Sequence, residues 1–279
     1  MKPAPLAYLR AASSDEALEA LSHEGPDARI LAGGQSLVPM LNVRLARPAL
    51  LVDVMHIPAL QRIEADSARI AIGAAVRQCA VEAWPALPRR LSLLAAALPW
   101  VGHVQTRSRG TLCGSVAHAD PSAEIPLVLV ALGGRVHLRS RRGSRRLPAA
   151  GFFTGMMATA CEPDEMIEAV SFPADQPGIG YAFREIGRRH GDFAIAACAA
   201  VATAKGATLA VGGVADRPVA RALPLPATPG DAAALDDALH AFARDLDARD
   251  DLHATARYRR ELVRRLGRAV IEEASQCRA

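Results

Sequence analysis

Two short segments of this sequence combine small and polar residues in a way that suits the binding of an anion. The first is LAGGQSLV, Leu31 to Val38, and the second is GTLCGS, Gly110 to Ser115. Glycine lets a backbone approach a ligand closely, and consecutive N–H groups in such turns form concave sites for pyrophosphate oxygens. A single Gly-Gly pair is more often an ordinary tight turn, whereas two such segments in one chain favour a binding site.

Other familiar motifs of nucleotide-binding and catalytic sites do not occur in the sequence. It contains no GxGxxG, no P-loop lysine, no HExxH and no GxSxG. The five cysteines are scattered and never form a CxxC pair, so we predict no zinc site, no iron–sulfur site and no disulfide framework. His118 and Asp120 form an HxD, but two ligands do not make a metal site, and we interpret Asp120 as a helix N-cap. We identify no catalytic base or nucleophile.

The elements that position the two glycine segments are predicted from hydrophobic periodicity. The β-like runs RILAGG, ALLVDV and ARIAIG precede helical runs that lead to the second segment. Asp120 and Pro121 then introduce the apolar run IPLVLVAL, which predicts a helix over residues 121–132 with Glu124 in its first turns. The sequence therefore predicts a mixture of helices and strands.

A Pro/Gly-rich segment divides the predicted elements into two groups. Ala174 to Gly180, ADQPGIG, predicts a boundary between a domain of residues 1–174 and one of residues 175–279. Beyond it, YAFREI, DFAIAACAAVATA and TLAVGGV are typical of a sheet, and two helices follow. In the last helix apolar residues recur every four positions and predict its buried face, with arginines on another face. The predicted apolar positions are Ala254, Tyr258, Leu262, Leu266 and Val270.

The amino-acid composition limits the classes of protein to which this chain could belong. Of the 279 residues 51% are hydrophobic, which is ample for a buried core, and no apolar run has the length of a membrane span or a signal peptide. The unpaired cysteines fit a reducing compartment, so we expect a cytoplasmic protein. The net charge of +4 would suit an anionic partner. However, only 4% of the residues are aromatic, so the arginine-rich segment RSRRGSRR indicates a solvated hairpin rather than a nucleic-acid surface.

Four stretches of the sequence together resemble the FAD-binding medium subunit of molybdenum hydroxylases, the family of carbon monoxide dehydrogenase and xanthine dehydrogenase. They are ILAGGQSLVPMLNVRLARPALLVDV, TRSRGTLCGSVAHADPSAEIP, FREIGRRHGDFAIAACA and DDLHATARYRRELVRRL. The resemblance implies an α+β fold, in which a vanillyl-alcohol-oxidase-like (PCMH-type) FAD-binding domain of two lobes is followed by a smaller α+β C-terminal domain. FAD would lie extended between the lobes.

The resemblance also implies which residues hold the cofactor. The backbone of Ala32 to Ser36 would take the pyrophosphate, Glu124 would be an acid near the cofactor, Val101 would pack on it, and Ile167 would make a backbone contact. Arg184 would lie beside the flavin and raise its potential by stabilising an anionic reduced ring. The implied cofactor-binding set is Leu31, Ala32, Gly33, Gly34, Gln35, Ser36, Leu37, Val38, Val101, Thr111, Leu112, Cys113, Gly114, Ser115, Glu124, Ile167 and Arg184.

This sequence departs from the family pattern at two positions. Ser108 stands where asparagine usually precedes RGT, and Cys113 stands where glycine is frequent. A Cβ restricts the positive φ values that glycine allows, so Cys113 is either a tolerated small residue or a reactive thiol at the flavin. We favour the tolerated small residue.

The function implied by the resemblance is electron transfer within a larger complex. A large subunit with a molybdenum cofactor would oxidise the substrate, and a small subunit with two [2Fe–2S] clusters would pass electrons to the FAD of this chain and on to an external acceptor. A dimer of heterotrimers is the assembly implied. Two alternatives remain open: a self-sufficient FAD-dependent oxidase or reductase, with Cys113 and His118 as candidates for covalent flavin attachment, and a structural subunit without cofactor.

Overall fold

The first lobe of the chain is a small parallel sheet with a helix packed on it. A computed structural model describes residues 2–225 and 232–278. The elements of this lobe are β1 (Ala7–Arg10), α1 (Ser14–Glu24), a 3-10 turn (Gly25–Asp27), β2 (Ala28–Leu31), α2 (Leu37–Asn42) and β3 (Leu50–Asp53). The strand order is β1-β3-β2, and both pairs are parallel. Ser13 caps α1 by accepting the N–H of Glu16, and Leu18 and Leu21 form the buried face of the helix.

The second lobe is an antiparallel five-stranded sheet covered by short helices. Its elements are a 3-10 turn (Pro58–Leu60), β4 (Ile63–Ala65), β5 (Arg69–Gly73), α3 (Gln78–Glu82), α4 (Leu87–Arg90), α5 (Ser92–Ala97), a 3-10 turn (Leu98–Trp100), α6 (Val104–Arg109), α7 (Leu112–His118), α8 (Glu124–Ala131), β6 (Arg135–Ser140), β7 (Gly143–Pro148), α9 (Ala149–Phe152), β8 (Phe153–Gly155), β9 (Ala158–Thr159) and β10 (Met166–Pro173). The strand order is β4-β5-β10-β6-β7, while β8 and β9 pair separately. The register of β10 against β6 shifts between Ile167 and Ala169, which is a β-bulge.

Helix α8 lies at the centre of the molecule. All eight of its residues are buried, as expected for a helix that is apolar around its whole circumference. The prediction of a helix over residues 121–132 capped by Asp120 is wrong at its start, because α8 begins at Glu124 with Ala123 as N-cap. The Asp120 carboxylate accepts the N–H of Ser122 and its carbonyl accepts the N–H of Ala123, so these residues form a turn instead of a first helical turn.

The C-terminal part of the chain is an antiparallel sheet with two helices. Its elements are β11 (Gly180–Ile186), β12 (Ala196–Thr203), β13 (Gly206–Gly212), β14 (Val219–Leu223), α10 (Ala232–Asp245) and α11 (Ala256–Gln276). The strands pair in chain order. One face of the sheet packs against α10 and α11, and the other packs against α5 and α8 of the second lobe. Strand β12 is rich in alanine, which lets elements approach closely on both faces.

The buried face of α11 differs from the predicted stripe. Tyr258 is about half exposed and Ala254 precedes the helix, whereas the buried positions follow a spacing of three and four residues. They are Arg259, Leu262, Val263, Gly267, Val270, Ile271 and Ala274. Arg259 is buried because its guanidinium donates to the carbonyls of Ile195 and Gly213 and pairs with Asp251. The prediction assumed a constant spacing of four residues, so it missed the positions one residue further on that complete the buried face.

The arginine-rich β6–β7 hairpin is held by acidic side chains of the same chain. Arg139 pairs with Asp15 at 2.8 Å and with Glu168 at 3.1 Å. Arg142 pairs with Asp164 at 2.8 Å. The hairpin is thus less of a free basic surface than its sequence suggests.

Candidate cofactor-binding site

A large cavity, of about 840 Å³, lies where both lobes and the C-terminal part of the chain meet. Its size falls within the range of small-molecule and cofactor sites. Many of the residues implied by the family resemblance line it, namely Ala32, Gln35, Ser36, Leu37, Val101, Thr111, Cys113, Gly114, Ser115, Glu124 and Ile167. Both glycine segments therefore contribute to the same cavity, which is the arrangement that the family resemblance implies.

The first glycine segment forms one wall through its backbone. It connects β2 to α2, and Gly34 has φ +72°, a left-handed conformation that favours glycine. A Cβ on Gly33 would lie 2.3 Å from the carbonyl oxygen of Arg109, so only glycine allows the two glycine segments to touch. Within residues 2–225 and 232–278, the N–H groups of residues 33–36 donate to no protein acceptor. Of these residues Gln35 and Ser36 line the cavity, so their N–H groups are available to an anion bound there.

Four residues of the implied set contribute to this wall without facing the cavity. Leu31, Gly33, Gly34 and Val38 are absent from its lining, and the Cβ position of Gly34 lies 3.0 Å from the Val38 side chain. Val38 donates its N–H to the carbonyl of Gly34 at 2.9 Å and so closes the turn that starts α2. These positions shape the loop, while Ala32, Gln35 and Ser36 face the cavity.

Backbone hydrogen bonds hold the second glycine segment against the residues that follow β5. The carbonyl of Gly110 accepts the N–H of Gln78 at 2.8 Å, and Leu112 donates to the carbonyl of Val76 at 3.2 Å. Thr111 caps α7, because its hydroxyl accepts the N–H of Gly114 at 3.0 Å. Leu112 is fully buried and points into the core, so within this segment it supports the wall and does not face the cavity.

Cys113 is a buried core residue. It lies in α7, and positive φ occurs among the described non-glycine residues only at Arg44, Ala119 and Met157, so its Cβ is accommodated without strain. Its thiol donates to the carbonyl of Ile72 at 3.5 Å, and burial raises its pKa to about 12. A thiol held protonated in this way is unreactive, which supports the interpretation as a tolerated small residue.

Glu124 lines the cavity at the start of α8. It is 6% exposed, and burial is the main reason that its pKa is raised to about 7, with a smaller contribution from the charge of Asp120. His118 and Asp120 also line the cavity. Ile167, at the β10 bulge, also lines the cavity.

The loop of residues 187–193 forms a part of the cavity that the sequence did not predict. Gly191, Asp192 and Phe193 line the cavity, and Phe193 is 68% exposed at its rim. The loop is held against the second lobe by His190, which stacks on Trp100 with ring centroids 4.9 Å apart. Nothing in the local sequence of Asp192 and Phe193 indicates that they reach a cavity lined mainly by residues of the two N-terminal lobes.

Arg184 does not lie in this cavity. Its guanidinium donates to Glu273 of α11 at 2.9 Å on the far face of the C-terminal sheet, and the side chain is 53% exposed. Successive residues of a strand point to opposite faces, so the inward position belongs to its neighbour Glu185. The structure therefore gives no support to a role for Arg184 beside the flavin.

Two kinds of feature are missing from the part of the chain that the structure describes. No group of three or more His, Cys, Asp or Glu side chains has the arrangement of a metal site. No described helix has both the length and the apolar character that crossing a membrane requires.

Comparison with known proteins assigns the family. Residues 4–175 match the family described as the FAD-binding domain in molybdopterin dehydrogenase, and residues 181–274 match the CO dehydrogenase flavoprotein C-terminal domain. The chain belongs to the FAD-binding medium subunits of the molybdenum hydroxylase family. It is thus an oxidoreductase subunit with an FAD-binding domain, and the α+β fold class implied by the resemblance is confirmed.

The proteins similar to this chain include subunits of several enzymes. The chain is 38% identical over 276 residues to the 6-hydroxypseudooxynicotine dehydrogenase complex subunit alpha of Paenarthrobacter nicotinovorans, covering 95% of this chain and 92% of that protein. It is 36% identical to the nicotine 6-hydroxylase medium subunit of the same organism, covering 98% and 99%. In the carbon monoxide dehydrogenase structure from Hydrogenophaga pseudoflava, a chain with 30% identity superposes with a TM-score of 0.92 and full coverage of both chains.

The cavity fits the FAD that the family implies. The free N–H groups of Gln35 and Ser36 suit a diphosphate, and any side chain at position 33 would prevent the close approach of the two loops that form this cradle. Val101 and Ile167 provide apolar surface, and Phe193 adds an aromatic ring at the rim. The unreactive thiol of Cys113 does not suit a covalent link to the flavin.

Proposed function

We propose that this chain is the electron-transfer subunit of a multi-subunit molybdenum hydroxylase. Bound FAD would accept electrons from [2Fe–2S] clusters of a small partner subunit and deliver them to an external acceptor, while a large subunit with the molybdenum cofactor oxidises the substrate. The observation that carries the proposal is the contact of the two glycine segments, at Gly33 and Arg109, on the wall of one large cavity.

The chain's own residues would bind and orient the cofactor. The N–H groups of residues 33–36 and the capped start of α7 at Thr111 would hold the diphosphate, where a charged group is stabilised by fixed dipoles. Val101 and Ile167 would exclude water from one side, and Phe193 would cover the exposed rim. Through these contacts the chain sets the position of the cofactor relative to its partners.

The assembly and the compartment belong to the same proposal. We propose a heterotrimer of large, medium and small subunits that dimerises, because the family members similar to this chain are named as medium subunits or as a subunit of a complex. All five cysteines are free, which suits a reducing compartment, and we therefore place the complex in the cytoplasm.

Anaerobic rapid mixing tests the electron-transfer role. The chain would be co-expressed with its large and small partner subunits, and the purified complex mixed with its reducing substrate. We expect flavin absorbance to bleach after the iron–sulfur absorbance, and the isolated chain with FAD to be unreactive toward the same substrate. Turnover of the substrate by the isolated chain would overturn the proposal in favour of a self-sufficient oxidase.

A further inference from the structure

Arg259 is a buried arginine of α11 whose guanidinium binds the backbone beside the paired ends of β12 and β13. It is 5% exposed, and it donates to the carbonyl of Ile195 at 2.6 Å and to the carbonyl of Gly213 at 2.5 Å. It also pairs with the carboxylate of Asp251. Removing a charge from water is costly, and an apolar side chain can often replace a buried ion pair without loss of stability. The acceptors that Arg259 holds therefore indicate its role.

The first acceptor, Ile195, ends the loop that connects β11 to β12. The N–H of Ile195 donates to the carbonyl of Ile186 at 2.8 Å, so the loop of residues 187–194 is closed at its base. Residues 191–193 of this loop line the cofactor cavity. Because Arg259 binds the carbonyl at the base of the loop, it fixes the segment that carries these residues.

The second acceptor, Gly213, connects Arg259 to the start of α8. The N–H of Gly213 donates to the carbonyl of Pro121 at 2.7 Å. Pro121 belongs to the turn that precedes α8, and on either side of it Asp120 and Glu124 line the cavity. One guanidinium thus holds two segments of the cavity wall that are far apart in the chain.

The guanidinium is itself held in place by Asp251. One carboxylate oxygen of Asp251 accepts the N–H groups of His253 and Ala254, at 2.8 Å and 2.9 Å, and the other oxygen binds Arg259. A planar guanidinium presents its N–H groups at fixed angles, which the ammonium of a lysine does not. Arg259 can therefore bind the carboxylate and both carbonyls at once and keep them in fixed relative positions.

We propose that Arg259 is a positioning residue of the cofactor site, which places the β11–β12 loop and the turn before α8 against bound FAD. Arg259 does not line the cavity itself, so it would act only through the backbone groups that it binds. The effect on FAD rests on the proposed function, whereas the position of the loop can be measured without FAD.

The stacking of His190 on Trp100 reports where the loop lies. The two ring centroids are 4.9 Å apart, and the chain contains one other tryptophan, Trp84. In a Trp84→Phe background, quenching of Trp100 fluorescence by acrylamide measures how well His190 covers the ring. We expect Arg259→Met to raise the quenching constant toward the value of His190→Ala, because the released loop uncovers Trp100.

Val270→Ala is the matched control for stability. Val270 is fully buried about three turns further along α11, so the substitution destabilises the same helix at a distance from the loop. It should leave the quenching constant unchanged. Arg259→Lys keeps the charge and should give a value between those of the wild type and Arg259→Met. If Arg259→Met does not fold, Arg259→Lys is compared with the wild type instead. A quenching constant equal to that of the wild type overturns the proposal.

Flavin fluorescence titration tests the effect on the cofactor. We expect Arg259→Met to weaken FAD binding by about tenfold, the size that the loss of one or two ordered contacts would give. Val270→Ala should bind FAD as the wild type does. Equal FAD affinity in these two variants overturns the connection to the cofactor. If the wild-type chain binds no FAD, the proposed function fails, and the Trp100 measurement still decides whether Arg259 places the loop.

Discussion

The two sides of the cavity are built on different principles. On one side the glycine segments at residues 31–38 and 110–115 approach each other through their backbones, with Gly33 against Arg109. On the other side Glu124, Ile167 and Phe193 bring side chains from a helix, a strand bulge and a loop of the C-terminal domain. A backbone-built wall requires particular residue types at fixed positions, whereas a wall built from side chains depends on how distant elements pack.

The largest effect is expected at the backbone-built wall. In Gly33→Ala the added Cβ would lie 2.3 Å from the carbonyl oxygen of Arg109 and force the two glycine segments apart. We expect the affinity for FAD to fall by roughly a hundredfold or more, about 3 kcal/mol, measured by flavin fluorescence titration. Gly151→Ala is the control, since a Cβ there meets nothing within 4 Å. Unchanged FAD affinity in a folded Gly33→Ala protein would mean that this contact does not form the cradle.

At the interface between the C-terminal sheet and the second lobe, stability should depend on pH through the buried carboxyl of Glu185. Because its folded-state pKa is raised, the stability that it contributes is fully present below its unfolded pKa near 4.5 and is lost as the pH rises toward about 8. Glu185→Gln should reduce this loss, by up to about 1.4 kcal/mol for each pH unit of the pKa difference. Denaturant unfolding between these pH values measures it.

Glu165 provides the opposite case for the same experiment. Its pKa is lowered, so its contribution is present above the unfolded pKa and is lost as the pH falls through the folded one. Glu165→Gln should therefore change how the unfolding free energy depends on pH under acidic conditions. Between pH 5 and 8 its pH dependence should remain as in the wild-type chain. A Glu185→Gln curve parallel to that of the wild type would count against a raised pKa.

Substitution of two helix-capping threonines distinguishes an effect on stability from an effect on cofactor binding. Thr111→Val removes the cap of α7, which should cost about 1 kcal/mol of unfolding free energy and weaken FAD binding by roughly tenfold. Thr255→Val removes the corresponding cap of α11, which lies outside the cavity. It should cost a similar amount of stability with no change in FAD affinity. Equal FAD affinity in both variants would remove Thr111 from the binding wall.

The exposed aromatic ring at the rim should contribute less. Because Phe193 is 68% exposed, Phe193→Ala should leave the unfolding free energy nearly unchanged, while losing about 1 kcal/mol of FAD binding, or roughly fivefold in affinity. Leu252→Ala, at a fully exposed position outside the cavity, is the control. If the two variants bind FAD equally well, Phe193 does not cover the cofactor.

The smallest effect is expected at Arg184. Its ion pair with Glu273 is exposed, so Arg184→Gln should cost at most about 1 kcal/mol of stability and leave the midpoint potential of bound FAD unchanged. Spectroelectrochemical titration measures the potential, and Glu273→Gln should behave in the same way. A lower potential in Arg184→Gln alone would instead place Arg184 near the flavin, as the family resemblance implies.

The same contrast explains how much of the site could be predicted from the sequence. Gly33, Gly34 and Thr111 were predictable, because tight turns and helix caps require these residue types locally. The start of α8 was misplaced because Asp120 and Pro121 fit a helix start, although here Asp120 closes a turn. Phe193 and Glu185 act through elements far apart in the chain, and neither has a local signal. Even the side of β11 that faces the second lobe becomes evident only when the sheet packs on α5 and α8.

The most direct test of the account is the absorption spectrum of the purified chain before and after acid precipitation, with chromatography of whatever is released. We predict flavin bands in the native protein that move completely into the supernatant and elute as FAD, because the cavity holds the cofactor through backbone donors and Cys113 is unreactive. A colourless protein that takes up no added FAD, or a flavin that stays with the precipitate, would contradict it.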